Sequence, residues 1–430
     1  MGGYMKKKLL ILLLPLIVLC FLYKPKLKPP EFSSQNVYNT IKVLSSDEYK
    51  GRLAGENIMA ENYVKEAFKK AGLSPGGDAG SYLQNFNVYV PEVSGSCTLK
   101  VFSSDGKIKK EYVYGKDFKE VTYGASIPGT VYSGIKSKTD LNGRILIDKS
   151  GIINETKSQY KADKKLKLSG YDAVIYSTNR FLRFRTPYKL QMEVNDGLIK
   201  IMATSETCSE IENFSSNGCF IEINSSCAIK KCSAANVIGI LYGKSNIPPL
   251  VISAHFDHVG YDADGTVYDG AFDNASGTAF LIECARVLKL KGVKRTIIFA
   301  AFNAEEEGMI GSSYFTKHSS LNLKDSECIN FDMVGCNSNM PLTVLSSSPK
   351  EKYAVKVLNI LSKSAKCNLE FEDNSDHSSF CSCGINSVTL INEDTTKIHT
   401  PYDTIENISK EKIEEVYRAF YQYLASSNVW

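Results

Sequence analysis

Five short segments of the chain combine residue types that hold metal ions or move protons. They read Ser-Ala-His255-Phe-Asp257-His258-Val-Gly, Phe272-Asp273-Asn274-Ala-Ser-Gly277, Phe302-Asn-Ala-Glu305-Glu306-Glu307-Gly308, Asn330-Phe-Asp332-Met-Val-Gly335 and Ile398-His399-Thr-Pro-Tyr-Asp403-Thr. Singly, each has an ordinary explanation. A histidine after a strand is commonly a hydrogen-bonded core residue, Asp273 reads as a helix N-cap, and three successive glutamates read as a solvated turn. Jointly they point elsewhere. The chain has 5 histidines, and His255, His258 and His399 all fall in these segments. Carboxylates that follow buried strands are costly unless something neutralises them. Two histidines with three carboxylates suit a pair of divalent, zinc-like ions with one carboxylate bridging.

In order and spacing these segments resemble the zinc-dependent aminopeptidase family that includes the secreted bacterial leucyl aminopeptidases and the yeast-type vacuolar aminopeptidase. The likeness rests on His-x-Asp, Asp-Asn-x-Ser-Gly, Ala-Glu-Glu-x-Gly with a following Gly-Ser, Asn-Phe-Asp-Met-Val-Gly and His-Thr-Pro-x-Asp-Thr, across most of Asn236 to Ile408. Residues 144–176 look like the protease-associated (PA) domain often inserted in that family, and Leu44 to Leu53 fits its opening segment.

The resemblance implies a role for each residue. His255 and Asp332 would hold one zinc ion, Glu306 and His399 the second, and Asp273 would bridge the two. Asp257 would orient His255 from behind and fix its tautomer. Glu305 would be the general base rather than a ligand, and the Asp273–Asn274 peptide bond is expected to be cis. The implied activity is removal of N-terminal residues from peptides, with the free α-amine recognised at the metal centre. The chain departs from the pattern at Ile398, where some relatives carry a tyrosine that stabilises the tetrahedral intermediate. His258 is an extra residue, read as supporting the ligands or packing beside them. Ser375-Asp376-His377 resembles a pocket segment to which no metal is assigned, and His318 reads as a surface residue. Other readings are a single-zinc glutaminyl cyclase, a non-catalytic transferrin-receptor-like binding protein, and an endopeptidase or carboxypeptidase on the same fold.

Such residues converge only if buried strands deliver them to one edge. Open α/β sheets bind ligands at the carboxyl ends of their strands. Apolar β-branched runs at Val237–Leu241, Leu250–Ser253, Thr296–Ala301, Cys328–Phe331 and Ser387–Leu390 alternate with helical patterns at about Ala275–Leu290, Ser312–Lys317 and Lys352–Ala365. A last helix follows Ser409 as N-cap, with Ile413, Val416, Tyr417, Phe420, Tyr421 and Leu424 as its apolar stripe. The fold class expected is therefore α/β, a mixed central sheet flanked by helices, with a β-rich PA-like domain inserted. Within that insert, Tyr112–Tyr114, Gly129–Tyr132, Arg144–Ile147 and Ala173–Tyr176 read as strands and Tyr160–Gly170 as a helix. The expected divisions are 1–30, an N-terminal signal segment; 31–87, the first part of the peptidase domain; 88–233, the insert; and 234–430, the catalytic domain.

Lys6, Lys7 and Lys8 precede an unbroken apolar run from Leu9 to Tyr23, followed by Lys24, Lys26 and Lys28. No small-x-small cleavage site follows, so a signal anchor is expected in preference to a cleaved signal peptide, with the body extracytoplasmic. The remainder is nearly neutral, since the whole chain of 430 residues carries a formal net charge of only +4. That excludes an electrostatic footprint for nucleic acid. Peptides are the expected partners, together with a membrane through the N-terminal segment; oligomeric state and disulfide pairing stay open. Hydrophobic residues at 43% exclude wholesale disorder.

Overall fold

The computed structural model describes residues 31–430 except 94, 123–128, 134–143, 150–164, 182, 184–196 and 349–350. The basic-apolar N-terminal segment lies outside the described residues. Among those described, no helix is long and apolar enough to cross a membrane. Phe32–Trp430 forms one compact unit.

At its centre is a nine-stranded mixed sheet. Its strands are β1 Ser74–Pro75, β2 Leu83–Val93, β11 Cys227–Leu241, β12 Leu250–His255, β13 Ile297–Phe302, β14 Glu327–Phe331, β15 Leu342–Ser346, β16 Cys367–Phe371 and β17 Asn386–Ile391. The middle strands β13, β12, β14 and β17 run parallel to one another, while β11 flanks β13 and β15 flanks β17 in antiparallel sense.

Both faces of this sheet are covered, which is why its strands read as unbroken apolar runs. Along β13, Ile297, Phe299 and Ala301 enter the larger core, shared with the helices Ser34–Leu44, Ser276–Lys291 and Lys410–Ser426. The alternate residues Ile298, Ala300 and Phe302 enter a second core with Phe315 and Phe380, on the helices Ile310–His318 and His377–Cys381. That is the two-residue period of a pleated strand.

The last helix starts where its sequence indicates, with Ser409 Oγ accepting the Lys412 N–H at 3.2 Å. Its buried face includes Ile413, Val416, Phe420 and Leu424 but also Ala419 and Tyr423, while Tyr417 and Tyr421 lie half-exposed. The two tyrosines sit at the rim of the stripe, and Tyr421 turns toward Trp430.

Residues between β2 and β11 build two further four-stranded sheets. One contains β3 Thr98–Phe102, β4 Ile108–Glu111, β6 Gly129–Ser133 and β10 Phe220–Ser225; the other contains β5 Phe118–Glu120, β7 Ile145–Asp148, β8 Ala173–Ser177 and β9 Ile199–Ala203. Leu99, Val101, Ile175, Ile201 and Ile223 share a core distinct from those of the central sheet. The strand expected at Tyr112–Tyr114 lies four residues earlier, at Ile108–Glu111. Asp117 Oδ2 takes the Val113 N–H at 2.8 Å and Gly115 adopts φ 76°, so the chain turns there, keeping only the Tyr112 N–H bond to Leu99 O and an isolated bridge from Tyr114 to Phe118. The helix expected over Tyr160–Gly170 falls partly outside the described residues; Lys165–Leu168 is helical.

Candidate metal centre

The four parallel strands end at one edge of the sheet, and four of the candidate residues follow from where a strand stops. His255 is the last residue of β12, Asp332 comes immediately after β14, and Glu305 and Glu306 lie just past β13. Asp273 precedes the helix Ser276–Lys291 but does not cap it; the N-cap is Ala275. The Asp273–Asn274 peptide bond is cis.

These residues meet in one buried cluster. His255 Nε2 lies 3.3 Å from Asp332 Oδ1 and 3.6 Å from Asp273 Oδ1. On the other side, His399 Nε2 lies 3.2 Å from Asp273 Oδ2 and 3.1 Å from Glu306 Oε2. Asp273 thus turns one oxygen to each ligand set. Ligand atoms around a tetrahedral zinc with bonds of ~2.0–2.1 Å stand roughly 3.3–3.4 Å apart. Among the described residues, the groups whose donor atoms all lie close enough to share a cation are His255 with Asp273 and Asp332, and His258 with Asp273 and Glu306, while His399 approaches the last two carboxylates pairwise. The donor chemistry, imidazole nitrogen with carboxylate oxygen, also fits zinc.

His258 proves to belong to this cluster. Its Nδ1 lies 3.1 Å from Glu306 Oε1 and 3.7 Å from Asp273 Oδ2, and its ring crosses that of His399 edge-on. Hence two imidazoles address the same pair of carboxylates. Of the two, His399 lines the open cavity, whereas His258 is fully buried. Gly270 makes room for it: a Cβ there would stand 2.4 Å from His258 Cδ2.

Charge explains the titration behaviour. Burial works against a protonated His255, yet Asp332 and Glu305 outweigh it and hold its pKa well above the ordinary value. Burial likewise opposes a charged His399, but Glu306 and Asp273 push its pKa up to about 10. Glu306 is held well below the carboxylate range: burial would raise it, and the facing His399 and His258 prevail. Glu307 goes the other way, well above, through burial and the charges of Asp257, Glu306 and Glu305. So many buried carboxylates around a few imidazoles are balanced when divalent cations are added.

Several residues behind the ligands hold them in place. Asp257 Oδ1 is 3.6 Å from His255 Nδ1, and its other oxygen accepts the Glu306 N–H at 3.1 Å. Ser375 Oγ donates to Asp332 Oδ2 at 2.7 Å. Asn274 Oδ1 accepts the N–H groups of Gly277 and Met333, and its Nδ2 donates to Phe331 O, joining the loop of Asp273 to that of Asp332. Asp403 accepts the N–H groups of Phe272 and Asp273 at 2.8 and 2.9 Å; burial pushes its pKa up to about 6. Arg52, with no exposed surface, donates to the carbonyls of Leu44, Phe256, Asp269 and Gly270, tying the loop after His255 to the one before Asp273.

Sequence reasoning assigned no task to Ser375, Asn274, Asp403 or Arg52. Three of them stand inside the quoted motifs or the pocket segment, and Arg52 is the penultimate residue of the Leu44–Leu53 stretch. His377 is not drawn toward the cluster: it bonds Thr389 Oγ1 and Glu372 O, and burial lowers its pKa to about 4. His318 is a surface residue on the end of its helix. Among the described residues no disulfide forms; the eleven cysteines there are free.

The cluster opens into a cavity lined by His255, Asp273, Glu305, Asp332, Ile398 and His399 among others. Ala304, just before Glu305, has φ 60°, and Asn303 Oδ1 accepts its N–H at 2.9 Å. A sharp turn therefore sets Glu305 at the cavity beside the candidate ligand Glu306.

Comparison with known proteins follows the same segments. Residues 236–424 match the profile described as peptidase family M28. Aminopeptidase YwaD of Bacillus subtilis is 35% identical over 202 residues, 43% of this chain and 42% of that protein. A protein named probable leucine aminopeptidase, from Arthroderma benhamiae, is 28% identical over 197 residues, 42% of this chain and 54% of that protein. The aligned stretch thus spans only about half the length of these relatives. Among solved structures, an aminopeptidase from Aneurinibacillus sp. strain AM-1 superposes with a TM-score of 0.70 at 23% identity, covering 93% of this chain and 94% of that one. The zinc aminopeptidase BSAP from Bacillus subtilis gives 0.67 at 23% identity, covering 93% and 96%. The fold is the one these aminopeptidases share.

Proposed function

From the premise that residues 236–424 are a peptidase family M28 segment, we propose that this chain is a dizinc aminopeptidase that removes N-terminal residues from peptides. The observation that carries the reading is Asp273, whose two oxygens face two separate ligand sets, His255 with Asp332 and Glu306 with His399. When bound there, zinc ions supply Lewis-acid polarisation and bring the pKa of a water to near neutrality.

The chain's own residues do the rest. Glu305, at the cavity and next to Glu306, takes the proton of the attacking water and returns it to the departing amine. Asp257, on the far side of His255, keeps the proton on Nδ1 and leaves Nε2 to face the metal site. Asp403 holds the backbone N–H of Asp273 and Ser375 the carboxylate of Asp332, so little reorganisation is needed when charge develops.

The reading also includes export. A basic, apolar, basic segment at residues 6–28 supports translocation of the body, with the apolar run as a membrane tether.

The test uses the full chain loaded with zinc, beside Glu305→Gln, on free and N-acetylated peptides with and without chelator. N-terminal residues should be released from free peptides only, and chelation should abolish this. Glu305→Gln should lose a factor of ~10²–10⁴ in turnover while still binding zinc. Cleavage of the blocked peptides would remove the amine-recognition part. No turnover of any peptide by the zinc-loaded protein would sink the peptidase reading.

A further inference from the structure

The segment after β8 of the inserted domain crosses to the catalytic domain and meets two of its loops. Arg180 donates from one guanidinium nitrogen to Thr395 O at 3.0 Å and Thr396 O at 2.9 Å. Three residues on, the Arg183 N–H donates to His399 O at 3.2 Å. The Arg183 side chain then turns into the protein, where it is 2% exposed. Its Nε donates to Val259 O at 2.5 Å and its NH1 to Asp262 Oδ1 at 2.8 Å, with Glu120 Oε1 3.8 Å away. Asp262 is also paired with Lys119 and with Tyr268 Oη. Lys119 and Glu120 belong to β5, so two strands' worth of the insert grip the loop that follows His255.

Two features make this more than adhesion between domains. His399 has φ 55°, a left-handed conformation that a non-glycine residue keeps only when its surroundings over-determine it. The three hydrogen bonds from Arg180 and Arg183 fall on residues 395–399, the stretch that sets that conformation. Secondly, burying a guanidinium is expensive, and apolar packing would hold two domains together at lower cost. What the guanidinium offers is direction. It fixes Val259 and Asp262 on one side, and thereby anchors the backbone whose N–H meets His399 on the other.

We propose that Arg183, with Arg180 beside it, is a positioning residue through which the inserted domain holds His399 aimed at Asp273 and Glu306, so that the insert completes the second metal site. This rests on the reading of His399 as a ligand.

Stepwise zinc release against graded chelators, on the full chain, tests it. Arg180→Gln removes an exposed guanidinium and leaves no buried charge unpaired. Arg183→Lys keeps a cation opposite Asp262 and Glu120 but cannot also reach Val259. Partners behind a metal ligand commonly account for ~10–100-fold in metal affinity. Each variant should therefore bind one ion about ten-fold more weakly and the other as the parent does, with the metal-free melting temperature of Arg180→Gln unchanged. Unaltered affinity for both ions in both variants would overturn the proposal. So would an equal loss at both sites accompanied by a lower metal-free melting temperature, which is the signature of general support only. His399→Ala is the control. If it retains both ions at the parent's affinity, the ligand assignment itself fails and the proposal with it; failure of the arginine variants alone leaves that assignment standing.

Discussion

If His399 is a zinc ligand, as proposed, protonation and metal binding compete at it. In the metal-free protein its pKa of about 10 keeps it charged at neutral pH against Glu306 and Asp273. A zinc ligand must be neutral, so loading releases protons and tightens as pH rises toward that value. The stability of the metal-free protein moves oppositely. A histidine raised from 6.5 to about 10 on folding contributes stability that is complete below 6.5 and lost as pH climbs through 10. Two trends of opposite sign are thus expected between those limits: falling stability without zinc, and a growing increment when zinc is added. Calorimetry in buffers of different ionisation enthalpy, with melts at each pH, reads both. Zinc uptake without proton release would mean that His399 is not displaced from its carboxylates.

At the scale of elements, the candidate ligands drew notice because each stands in a motif with fixed neighbours, three of them, His255, Glu306 and Asp332, at or just past the end of a strand. The residues that hold those ligands were harder to see. Arg52 acts through carbonyl oxygens contributed by Leu44, Phe256, Asp269 and Gly270, and no side-chain pattern announces a carbonyl. Asp403 was visible as a residue of its motif, yet its task, accepting two successive N–H groups near Asp273, depends on a loop conformation. His258 was read only as a support or packing residue, and its approach to Glu306 and Asp273 depends on loop conformation in the same way. Of the strands expected between β2 and β11, those at Gly129, Arg144 and Ala173 fall within a residue of β6, β7 and β8, and only the one at Tyr112 is displaced, because local turn chemistry decides where a short strand stops. By contrast Ser409 was readable as a cap, since its bond is local. Ser409→Ala should cost about 1 kcal/mol of stability without altering zinc affinity. A denaturant melt together with a zinc titration checks this; a change in affinity would mean that the last helix also bears on the metal centre.

Taken whole, the molecule concentrates buried carboxyl groups at one edge of the central sheet. Asp273, Asp332, Glu305 and Glu306 are all buried there, with Asp257 and Glu307 behind them. Ions that bind only the folded chain stabilise it by mass action, ~2.7 kcal/mol per site at a hundred times the dissociation constant. Zinc should therefore raise the melting temperature, and chelator should lower it. The same melt on Asp273→Asn should show a much smaller response, because that residue serves both ligand sets. No shift with zinc in the parent chain would mean that protons alone neutralise the cluster.

The ribbon formed by β2 and β11 has a consequence for how the chain folds. Its first pair, Val93 with Cys227, and its last, Leu83 with Val237, are joined through everything between them, so the central sheet cannot pair this edge until a very long loop has closed. Closure entropy grows only with the logarithm of loop length, but it must be met before the pairing returns anything. The two inserted sheets shorten that search. Once β3 lies against β10, Thr98 opposite Asn224, the loop is already pinned a few residues from the ribbon's tip. What remains is a hairpin that zips inward from its turn, with the insert serving as the turn.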